Sequence, residues 1–335
     1  MTDAAPPDVS ILVVTYTQHE LLGRCLESVD EAARGFSTET IVVVNGVPLE
    51  REHHAARARG ALVLHAPINL GMPRGLHWAR SNARGRTLAV VQDDVEVDRP
   101  WLEPLIEALE RDSTIGAAGS RVSLLDGTPW SDGIVIAQGC RASIVEPAER
   151  SDSSWPVDAC SLASCAVRAD AWDSAGGPNP RLFPNQHVDI EFGLRLAASG
   201  WSVVVTRDSV VRHVRNASTT TPQRRYLVER NRPTIARDHH RILLGRPELF
   251  HDRQAVDAWL DHLALVARER RTAPPPHRAL SPPVPLSVLV RDARADARRV
   301  RVGLALYPAR VLLRHIRDSA RYRLSPTYLR SRFKR

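Results

Sequence analysis

The chain has 335 residues, of which 43% are hydrophobic and 25% charged, and its mean hydropathy is −0.25. These values exclude a disordered or fibrous protein and allow a sizeable core in one or two domains. The sequence lacks both the ~18 consecutive apolar residues of a membrane span and the basic start of a secretory signal. The four cysteines lack zinc-site spacing, so they predict reduced, packed thiols in a cytoplasmic protein.

The formal charge of +8 is unevenly distributed along the chain. Residues 291–335 contain 14 Arg or Lys and 3 Asp or Glu, a net charge of +11, which leaves about −3 for the first 290 residues. This basic tail is the single feature that favours a nucleic-acid-binding protein. It is insufficient by itself, and we expect no nucleic-acid partner.

Short β-branched runs alternate with helical patterns through the first two hundred residues. Continuous apolar runs of strand length, typical of strands buried on both faces, lie at Val9–Thr15, Thr40–Asn45, Ala61–Leu64 and Thr87–Gln92. Apolar residues recur at helical spacing over 21–29, 76–83 and 102–109, with Pro100 expected in the first turn of the last helix. The repeated strand–helix unit predicts an α/β fold: an open, mostly parallel sheet with helices on both faces.

After Gly116, Gly-, Ser- and Pro-rich segments predict hairpins and ligand-facing loops. A helix is predicted over 190–199, strands over 201–206 and 209–214, and helices over 224–240 and 254–271. The Pro-rich stretch that follows indicates a linker. We therefore divide the chain into a flexible N-terminus (1–8), an α/β domain (9–222), C-terminal helices (223–272), a linker (273–286) and a basic amphipathic helical tail (287–335).

Acidic residues crowd the end of the fourth predicted strand, in the sequence QDDVEVD at 92–98. Ligands bind at the carboxyl ends of strands in open α/β sheets. Four carboxylates within six residues raise one another's pKa unless a cation or hydrogen-bond donors neutralise them. The pattern therefore indicates an oxygen-preferring divalent ion, Mg²⁺ or Mn²⁺, and the alternative is a solvated acidic turn before the next helix.

Two further places could contribute to a site. Asp189 and Glu191 open the helix predicted over 190–199, where the helix dipole favours an ionised carboxylate that can act as a base. Complementation of the dipole alone would also explain acids there. His213 ends a strand-like run and could bind a metal or form an ordinary hydrogen bond.

Taken in order, these segments resemble the family 2 glycosyltransferases, which have the GT-A fold, and among them the rhamnosyltransferase-like members. The resemblance covers Val9 to Asn231. The family's first strand and helix resemble VSILVVTYTQHELLGRCLESV, the end of its second strand resembles IVVVNG, and its segment near the diphosphate resembles NLG with RG. Its metal-binding DxD loop is similar to VQDDVEVDRPWL, and its acceptor-side segment is similar to SCAVRADAWDSAGGPNPRLF. The catalytic ED helix resembles VDIEFGLRLAASGW, a strand whose histidine often completes the metal site resembles VVRH, and the start of the C-terminal helices resembles YLVERN.

The resemblance implies a role for each matching residue. The implied donor-binding residues are Thr15, Tyr16 and Asn45 near the nucleobase, Arg74 and Gly75 near the diphosphate, and Gln92 and Asp93 in the DxD loop. Asp94 and His213 would hold Mg²⁺ or Mn²⁺. Asp189 would be the catalytic base, with Glu191 as the candidate two residues further along the helix.

Three positions depart from the family's pattern. Val44 stands where many members have an aspartate that contacts the nucleobase, so the identity of the base is open. Gln92 replaces the first acid of the DxD triplet, which should change ribose binding more than metal binding. Val188 replaces the glutamate of the ED pair and leaves Asp189 without its usual acidic neighbour.

The implied reaction moves a sugar from a nucleotide-diphosphate sugar to a hydroxyl of a glycan, glycolipid or other acceptor. The divalent cation and Arg74 would stabilise the departing diphosphate while Asp189 takes the acceptor's proton, in a single displacement with inversion. Trp130, Trp155 and Trp172 could stack on a sugar, although core packing would also explain them.

Other classes of protein fit the sequence less well. A nucleotidyltransferase needs a Gly-rich loop after the first strand, where this chain has TYTQH, and a dehydrogenase needs a GxGxxG after a strand. The main alternative is a non-catalytic nucleotide-sugar-binding protein on a diverged transferase scaffold, suggested by the three departures. Retention of both metal ligands and the base argues against it.

The tail mixes arginines with apolar residues, which suits peripheral binding to an anionic membrane at its inner face. The apolar residues are Val302, Leu304, Leu306, Val311, Leu312, Leu313 and Ile316, and the arginines are Arg298, Arg299, Arg301, Arg310, Arg314, Arg317 and Arg321. The alternative is packing against the α/β domain or within a homo-oligomer. Pro308 should interrupt the helix, and removal of the tail after Pro285 should leave sugar transfer intact.

Overall fold

A computed structural model of the chain describes residues 5–214, 219–270 and 284–323. Its strands are β1 Val9–Thr15, β2 Thr38–Asn45, β3 Leu62–Ala66, β4 Thr87–Gln92, β5 Val95–Val97, β6 Ile115–Ser123, β7 Pro129–Ser131, β8 Ile134–Ala137, β9 Arg141–Ile144, β10 Ser154–Val157, β11 Ser164–Arg168 and β12 Ser202–His213. Its helices are α1 His19–Ala32, α2 Arg51–Ala58, α3 Met72–Arg80, α4 Leu102–Arg111, α5 Ala169–Ala175, α6 Val188–Ala198, α7 Thr221–Asp238, α8 His240–Leu243, α9 Arg253–Arg270 and α10 Leu286–Arg323.

Within the described ranges, one sheet has the strand order β10-β12-β6-β11-β4-β1-β2-β3, with β5 beside β12 and β7 beside β6. Strands β3, β2, β1 and β4 are parallel neighbours. The antiparallel β11 joins β4 to β6, and β12 runs parallel to β6. The sheet is therefore mixed and mostly parallel in its N-terminal half, as the sequence predicts.

Helices cover both faces of this sheet, which confirms the predicted layers. Along β4, Leu88 and Val90 pack on one face, and Ala89 and Val91 pack on the other. Helices α1 and α4 supply the core of the second face, while α3, α5 and α6 supply that of the first. Burial on both faces explains why these strands are continuous apolar runs rather than alternating ones.

Several predicted boundaries differ from the structure. The strands predicted over 201–206 and 209–214 are one strand, β12, whose pairing with β6 shifts register between Val205 and Val210. The polar residues Arg207 and Asp208 at this irregularity made it resemble a turn. Pro100 lies two residues before α4 rather than in its first turn. The acidic segment after β4 also contains the short strand β5, which the sequence predicted as loop.

The described part of the tail, up to Arg323, forms a single helix, α10, so the predicted interruption at Pro308 is wrong. Proline removes only one backbone N–H donor, and the remaining turns keep their hydrogen bonds. The linker predicted over 273–286 lies outside the described residues except for its last three positions, and so do residues 1–4 of the predicted flexible N-terminus.

Candidate active site

The carboxyl ends of β1, β2 and β4 meet at one edge of the sheet, where they line a cleft of about 290 Å³. Of the residues predicted for the donor and the metal, five line this cleft: Tyr16, Asn45, Gln92, Asp93 and Asp94. Phe183, Pro184 and Asn185, from the segment before α6, form a second wall. Tyr226 and Leu227 of α7 and Val300 and Leu304 of α10 complete the enclosure.

The structure brings Asp94 and His213 together, although 119 positions separate them in the sequence. Strand β5 pairs with the end of β12, so that His213 lies opposite Val95, and the Val214 amide donates to the Asp94 carbonyl. As a result, His213 Nε2 lies 3.1 Å from Asp94 Oδ1. Asp94 is 8% exposed, and apart from this contact its buried Oδ1 has no hydrogen-bond partner among the described residues.

This pair fits a divalent cation, because an oxygen and an imidazole nitrogen converge where one carboxylate oxygen lacks a hydrogen bond. In the described part of the chain, no group of three or more His, Cys, Asp or Glu side chains is arranged to hold a metal. The described residues thus offer two ligands, Asp94 and His213. Such a site leaves coordination positions for phosphate oxygens and water.

The other acids of the loop do not share the site, which corrects the prediction of four crowded carboxylates. Glu96 pairs with Arg24 at 3.5 Å and Arg212 at 3.6 Å, and Asp98 also pairs with Arg212. Glu96 lies on β5 beside these arginines and does not line the cleft. Arginine neutralises this half of the loop, and only Asp93 and Asp94 face the cleft.

Asp93 is the carboxylate of this loop whose pKa is clearly shifted. Burial raises the pKa of Asp93 to about 7; polar groups of Thr15 and Tyr16 offset part of that shift, and the neighbouring Asp94 adds to it. Thr15 ends β1 with its side chain buried. Two carboxylates placed side by side at the end of a buried strand would be stabilised by a bound cation.

Asn45, which the sequence leaves as the polar group near the nucleobase, is already engaged. Its Nδ2 donates to Asn69 Oδ1 at 3.1 Å, and its Oδ1 accepts from the Leu70 amide at 2.7 Å. Asn69 Oδ1 in turn accepts from the Gly71 amide at 2.7 Å. Asn45 therefore holds the turn before α3 in place and forms part of the cleft wall.

Arg74 and Gly75 lie beside the cleft, in the first turns of α3. Arg74 is 5% exposed, and its Nη2 donates to Asp296 Oδ2 of α10 at 2.5 Å. Its guanidinium also lies 5.9 Å from the centre of the Phe183 ring. A Cβ at Gly75 would lie 2.8 Å from Val14 Cγ1, so this glycine lets α3 approach β1 closely.

Asp189 lies in the first turn of α6, next to the segment that walls the cleft, although it is not among the lining residues. The sequence predicted that the helix dipole would keep this carboxylate ionised. Burial instead raises the pKa of Asp189, and the hydrogen bond from the Ile190 amide and the nearby His187 lower it only in part. Desolvation therefore dominates at this helix terminus, and a base with a raised pKa accepts a proton more readily.

Glu191 occupies a different environment. Its side chain is 1% exposed, and its Oε1 accepts from Arg195 Nε at 2.7 Å and Asn179 Nδ2 at 3.0 Å. His239 Nε2 lies 3.2 Å from the same oxygen. Burial acts to raise the pKa of Glu191, but His239, Arg195 and Asn179 together hold the pKa below its ordinary value. This carboxylate ties α6 to α7 and to the chain before α6.

The turn that presents Asp189 is strained, a feature that sequence reasoning missed. Gln186 and His187 both have left-handed backbone angles, with φ values of 75° and 59°. Asn231 of α7 donates to the carbonyls of Asn185 at 3.1 Å and Gln186 at 2.8 Å, which holds the turn. The asparagine of YLVERN, noted only as the start of a helix, thus connects α7 to the candidate base.

Helix α10 covers the cleft, which sequence analysis also missed. Residues Leu289, Ala293, Asp296, Val300, Leu304 and Tyr307 recur at helical spacing on one face, and the acid within this otherwise apolar row was the available signal. These residues fit the alternative that the sequence left open for the tail, namely packing against the α/β domain. Removal of the tail would therefore uncover the cleft, and the expectation that transfer stays intact without the tail stays a prediction.

The predicted membrane-facing residues of the tail divide between two environments. Leu304 lines the cleft, whereas Val302 is 60% and Leu306 is 48% exposed, with Arg298 and Arg301 also exposed nearby. The side chains of Leu312, Leu313, Ile316, Arg314, Arg317 and Arg321 lie outside the described set. None of the described helices is both long and apolar enough to cross a membrane.

The three candidate sugar-stacking tryptophans do not line the cleft. Trp155 is 4% exposed and donates to the Asp132 carbonyl at 2.9 Å. Trp172 is 2% exposed and packs edge-on against Phe192 at 5.2 Å between ring centres. Trp130 is partly buried and packs against the hydrophobic core on the other face of the sheet. Core packing accounts for all three.

The sequence and fold were compared with known proteins. Residues 10–132 match the family described as Glycosyl transferase family 2. The chain is 28% identical over 230 residues to the O-antigen biosynthesis protein RfbC of Myxococcus xanthus, covering 63% of this chain and 18% of that protein. It is 28% identical over 239 residues to the uncharacterized protein y4gI of Sinorhizobium fredii, covering 65% of this chain and 26% of that protein. The chain thus spans about a quarter or less of these relatives.

Two solved structures have a similar fold. GalNAc-T7 with UDP, GalNAc and Mn²⁺ superposes with a TM-score of 0.55 at 14% identity, covering 77% of this chain and 55% of that one. TarS of S. aureus superposes with a TM-score of 0.51 at 14% identity, covering 79% of this chain and 44% of that one. The fold is thus the GT-A fold, with C-terminal helices added. The segment that contains the ends of β1, β2 and β4 is thus similar to the family 2 glycosyltransferases, over residues 10–132.

Proposed function

We propose that this protein transfers a sugar from a nucleotide-diphosphate sugar to an acceptor hydroxyl, with inversion and with the assistance of Mg²⁺ or Mn²⁺. The observation that carries the proposal is the convergence of Asp94 and His213 at a cleft next to the helix that starts at Asp189. One side of such a site can bind a diphosphate–metal unit, and the other can accept a proton. Both functions promote a displacement at the anomeric carbon.

The donor would bind along the strand ends. The nucleoside would lie against Tyr16 and Asn45, with Gln92 and Asp93 near the ribose, and Arg74 would contact the diphosphate. Tyr16 is 37% exposed at the cleft, so its ring is accessible for stacking on a base. Arginine suits a diphosphate because its planar guanidinium donates to two oxygens at once.

Asp94 and His213 would hold the divalent cation, which when bound offsets the negative charge that develops on the leaving diphosphate. The GalNAc-T7 structure, determined with Mn²⁺, supports a metal of this kind. Apart from its contact with His213, the buried Oδ1 of Asp94 has no partner among the described residues that a cation would displace. The side chain is therefore already arranged for coordination.

Asp189 would act as the general base. As the acceptor oxygen attacks the anomeric carbon, its proton passes to an Asp189 oxygen, and the bond from the anomeric carbon to the diphosphate oxygen breaks. Nucleoside diphosphate leaves, and the configuration inverts because attack and departure occur on opposite faces. The raised pKa of Asp189 supports this assignment. The charge of Glu191 is already balanced by its partners, so Glu191 would stabilise the fold rather than accept a proton.

We place the reaction in cell-surface glycan or glycolipid synthesis, with residues 9–222 and the helices 223–272 as the catalytic unit. The O-antigen biosynthesis role named for RfbC supports this context. A cytoplasmic location is supported by four cysteines that are buried and unpaired. Peripheral contact with an anionic membrane through the exposed arginines of the tail and assembly into a homo-oligomer are further parts of the proposal.

The test is a screen of nucleotide sugars by thermal shift, with and without Mn²⁺, followed by measurement of nucleoside diphosphate release with glycan and glycolipid acceptors. We expect one donor to raise the melting temperature in a Mn²⁺-dependent manner, because a ligand that binds only the folded state stabilises it. Stabilisation by a donor without turnover on any acceptor would favour the alternative, a non-catalytic binding protein. The absence of any stabilising nucleotide sugar would refute the donor site.

A further inference from the structure

The arginine proposed to contact the donor diphosphate, Arg74, already has an anionic partner within the chain. Arg74 Nη2 and Asp296 Oδ2 are 2.5 Å apart, and their side chains are only 6% and 16% exposed. Asp296 comes from α10, 222 positions further along the chain. A carboxylate and a diphosphate present the same feature to a guanidinium, namely a pair of anionic oxygens, so they compete for the same donors.

Arg74 retains binding capacity beyond this pair. Its Nη1 is buried and has no hydrogen-bond partner in the described structure. A buried, unpaired guanidinium N–H is costly, which means that the site favours an additional acceptor oxygen. Asp296 therefore satisfies only part of the donor capacity that a diphosphate could occupy.

The same helix also fills space in the cleft. Val300 and Leu304, one and two turns after Asp296, line the cleft together with Asp94 and Gln92. Gly303 allows this close approach, because a Cβ there would lie 1.8 Å from Tyr226 Oη. Tyr307 Oη then donates to Glu229 at 2.7 Å and fixes the following turn to α7.

The packing of α10 against the rest of the protein is uneven along the length of the helix. Its first turns are anchored by Leu289 and Ala293, 6% and 0% exposed, in a cluster with Leu70 and Phe183. Over the cleft, its contacts include the Arg74–Asp296 ion pair, the Tyr307–Glu229 hydrogen bond and the edge-on Tyr226–Tyr307 ring pair at 5.5 Å, beside partly buried apolar residues. The buried apolar anchor of the helix thus lies in its first turns, and opening over the cleft would leave that anchor in place.

We propose that α10 is an autoinhibitory strap, in which Asp296 competes with the donor diphosphate for Arg74 while Val300 and Leu304 occupy the cleft. The inference rests on the proposed function, in which Arg74 contacts the diphosphate. Donor binding then requires the Arg74–Asp296 pair to open. The apparent affinity for the donor is reduced by the fraction of molecules in which the strap is closed.

The experiment measures binding of Mn²⁺ with inorganic pyrophosphate, UDP or dTDP to the full-length protein by titration calorimetry. Asp296→Asn keeps the shape of the side chain and removes its charge, so we expect diphosphate binding to tighten by roughly ten- to a hundredfold. The control is Asp292→Asn on the same helix, because the Asp292 side chain is 46% exposed and pairs with the adjacent Arg291. We expect no change there.

Hydrogen exchange of the wild-type protein provides a second measurement that needs no variant. Saturating Mn²⁺–diphosphate should speed amide exchange over residues 296–307 and leave residues 286–293 protected. Unchanged or weaker binding by Asp296→Asn would overturn the strap, and weaker binding would instead make Asp296 a residue that positions Arg74. Unchanged exchange over 296–307 would also count against it. If Arg74→Gln leaves wild-type binding intact, the assignment of Arg74 to the donor site fails instead.

Discussion

Glu191 and Asp189 lie two positions apart on α6, yet the structure predicts that only Glu191 supports folding stability. In Glu191→Gln, the charge that accepts from Arg195, Asn179 and His239 disappears. Breaking a buried pair costs about 3–5 kcal/mol. Because the Arg195 side chain is 30% exposed and can turn toward water, we expect a smaller loss of about 2–3 kcal/mol in unfolding free energy.

The expected loss corresponds to a fall of about 3–4 °C in melting temperature for a chain of this size. The matched control is Glu31→Gln, whose partner Arg34 lies 2.6 Å away but whose side chain is 58% exposed. We expect that control to change the unfolding free energy by less than about 0.5 kcal/mol. Circular dichroism melts at pH 7 of wild type and both variants make the comparison.

The pH dependence gives an independent check. The fold lowers the pKa of Glu191 from its ordinary value of 4.5, so its ionised form contributes stability above that pH. That contribution is lost as the pH falls through the lowered pKa of the folded state. The gap between wild type and Glu191→Gln should therefore narrow below about pH 4.5. Equal melting temperatures at pH 7 would refute the role assigned to Glu191.

Three further predictions address the site and the tail. Asp94→Ala should abolish the Mn²⁺-dependent rise in melting temperature that a stabilising donor gives to wild type, and an unchanged rise would remove Asp94 from the metal site. Asp189→Asn should keep donor binding but lower kcat by about 10²- to 10⁴-fold, and wild-type kcat should fall as the pH drops through the raised pKa of Asp189; near-normal turnover would exclude it as the base. Substitution of the exposed Arg298 and Arg301 by glutamate should weaken binding to vesicles rich in anionic lipid at least about tenfold at low salt. The same substitution of Arg51 and Arg57 on α2 should not weaken it, and vesicle binding that is insensitive to salt would contradict the electrostatic mechanism.

The sequence alone determined the features that local patterns encode. Strands β1 and β4 have the predicted bounds, because a strand buried on both faces is a continuous apolar run whatever its neighbours are. The residues at their carboxyl ends followed from that reading, since parallel strands end at one edge of the sheet. The family resemblance then ordered these residues into the expected site, and the family match confirms that resemblance.

Only the tertiary structure decided which charges act together. Glu96 and Asp94 are two positions apart, but Glu96 lies on β5 beside arginines, whereas Asp94 lies in the turn before β5 and contacts His213. Burial, which no local pattern reports, raises the pKa of Asp189 where the helix dipole alone predicted the opposite. The pairing of Asp296 with Arg74 depends on how a distant helix docks, and contacts over 222 positions leave no periodic signal in the sequence.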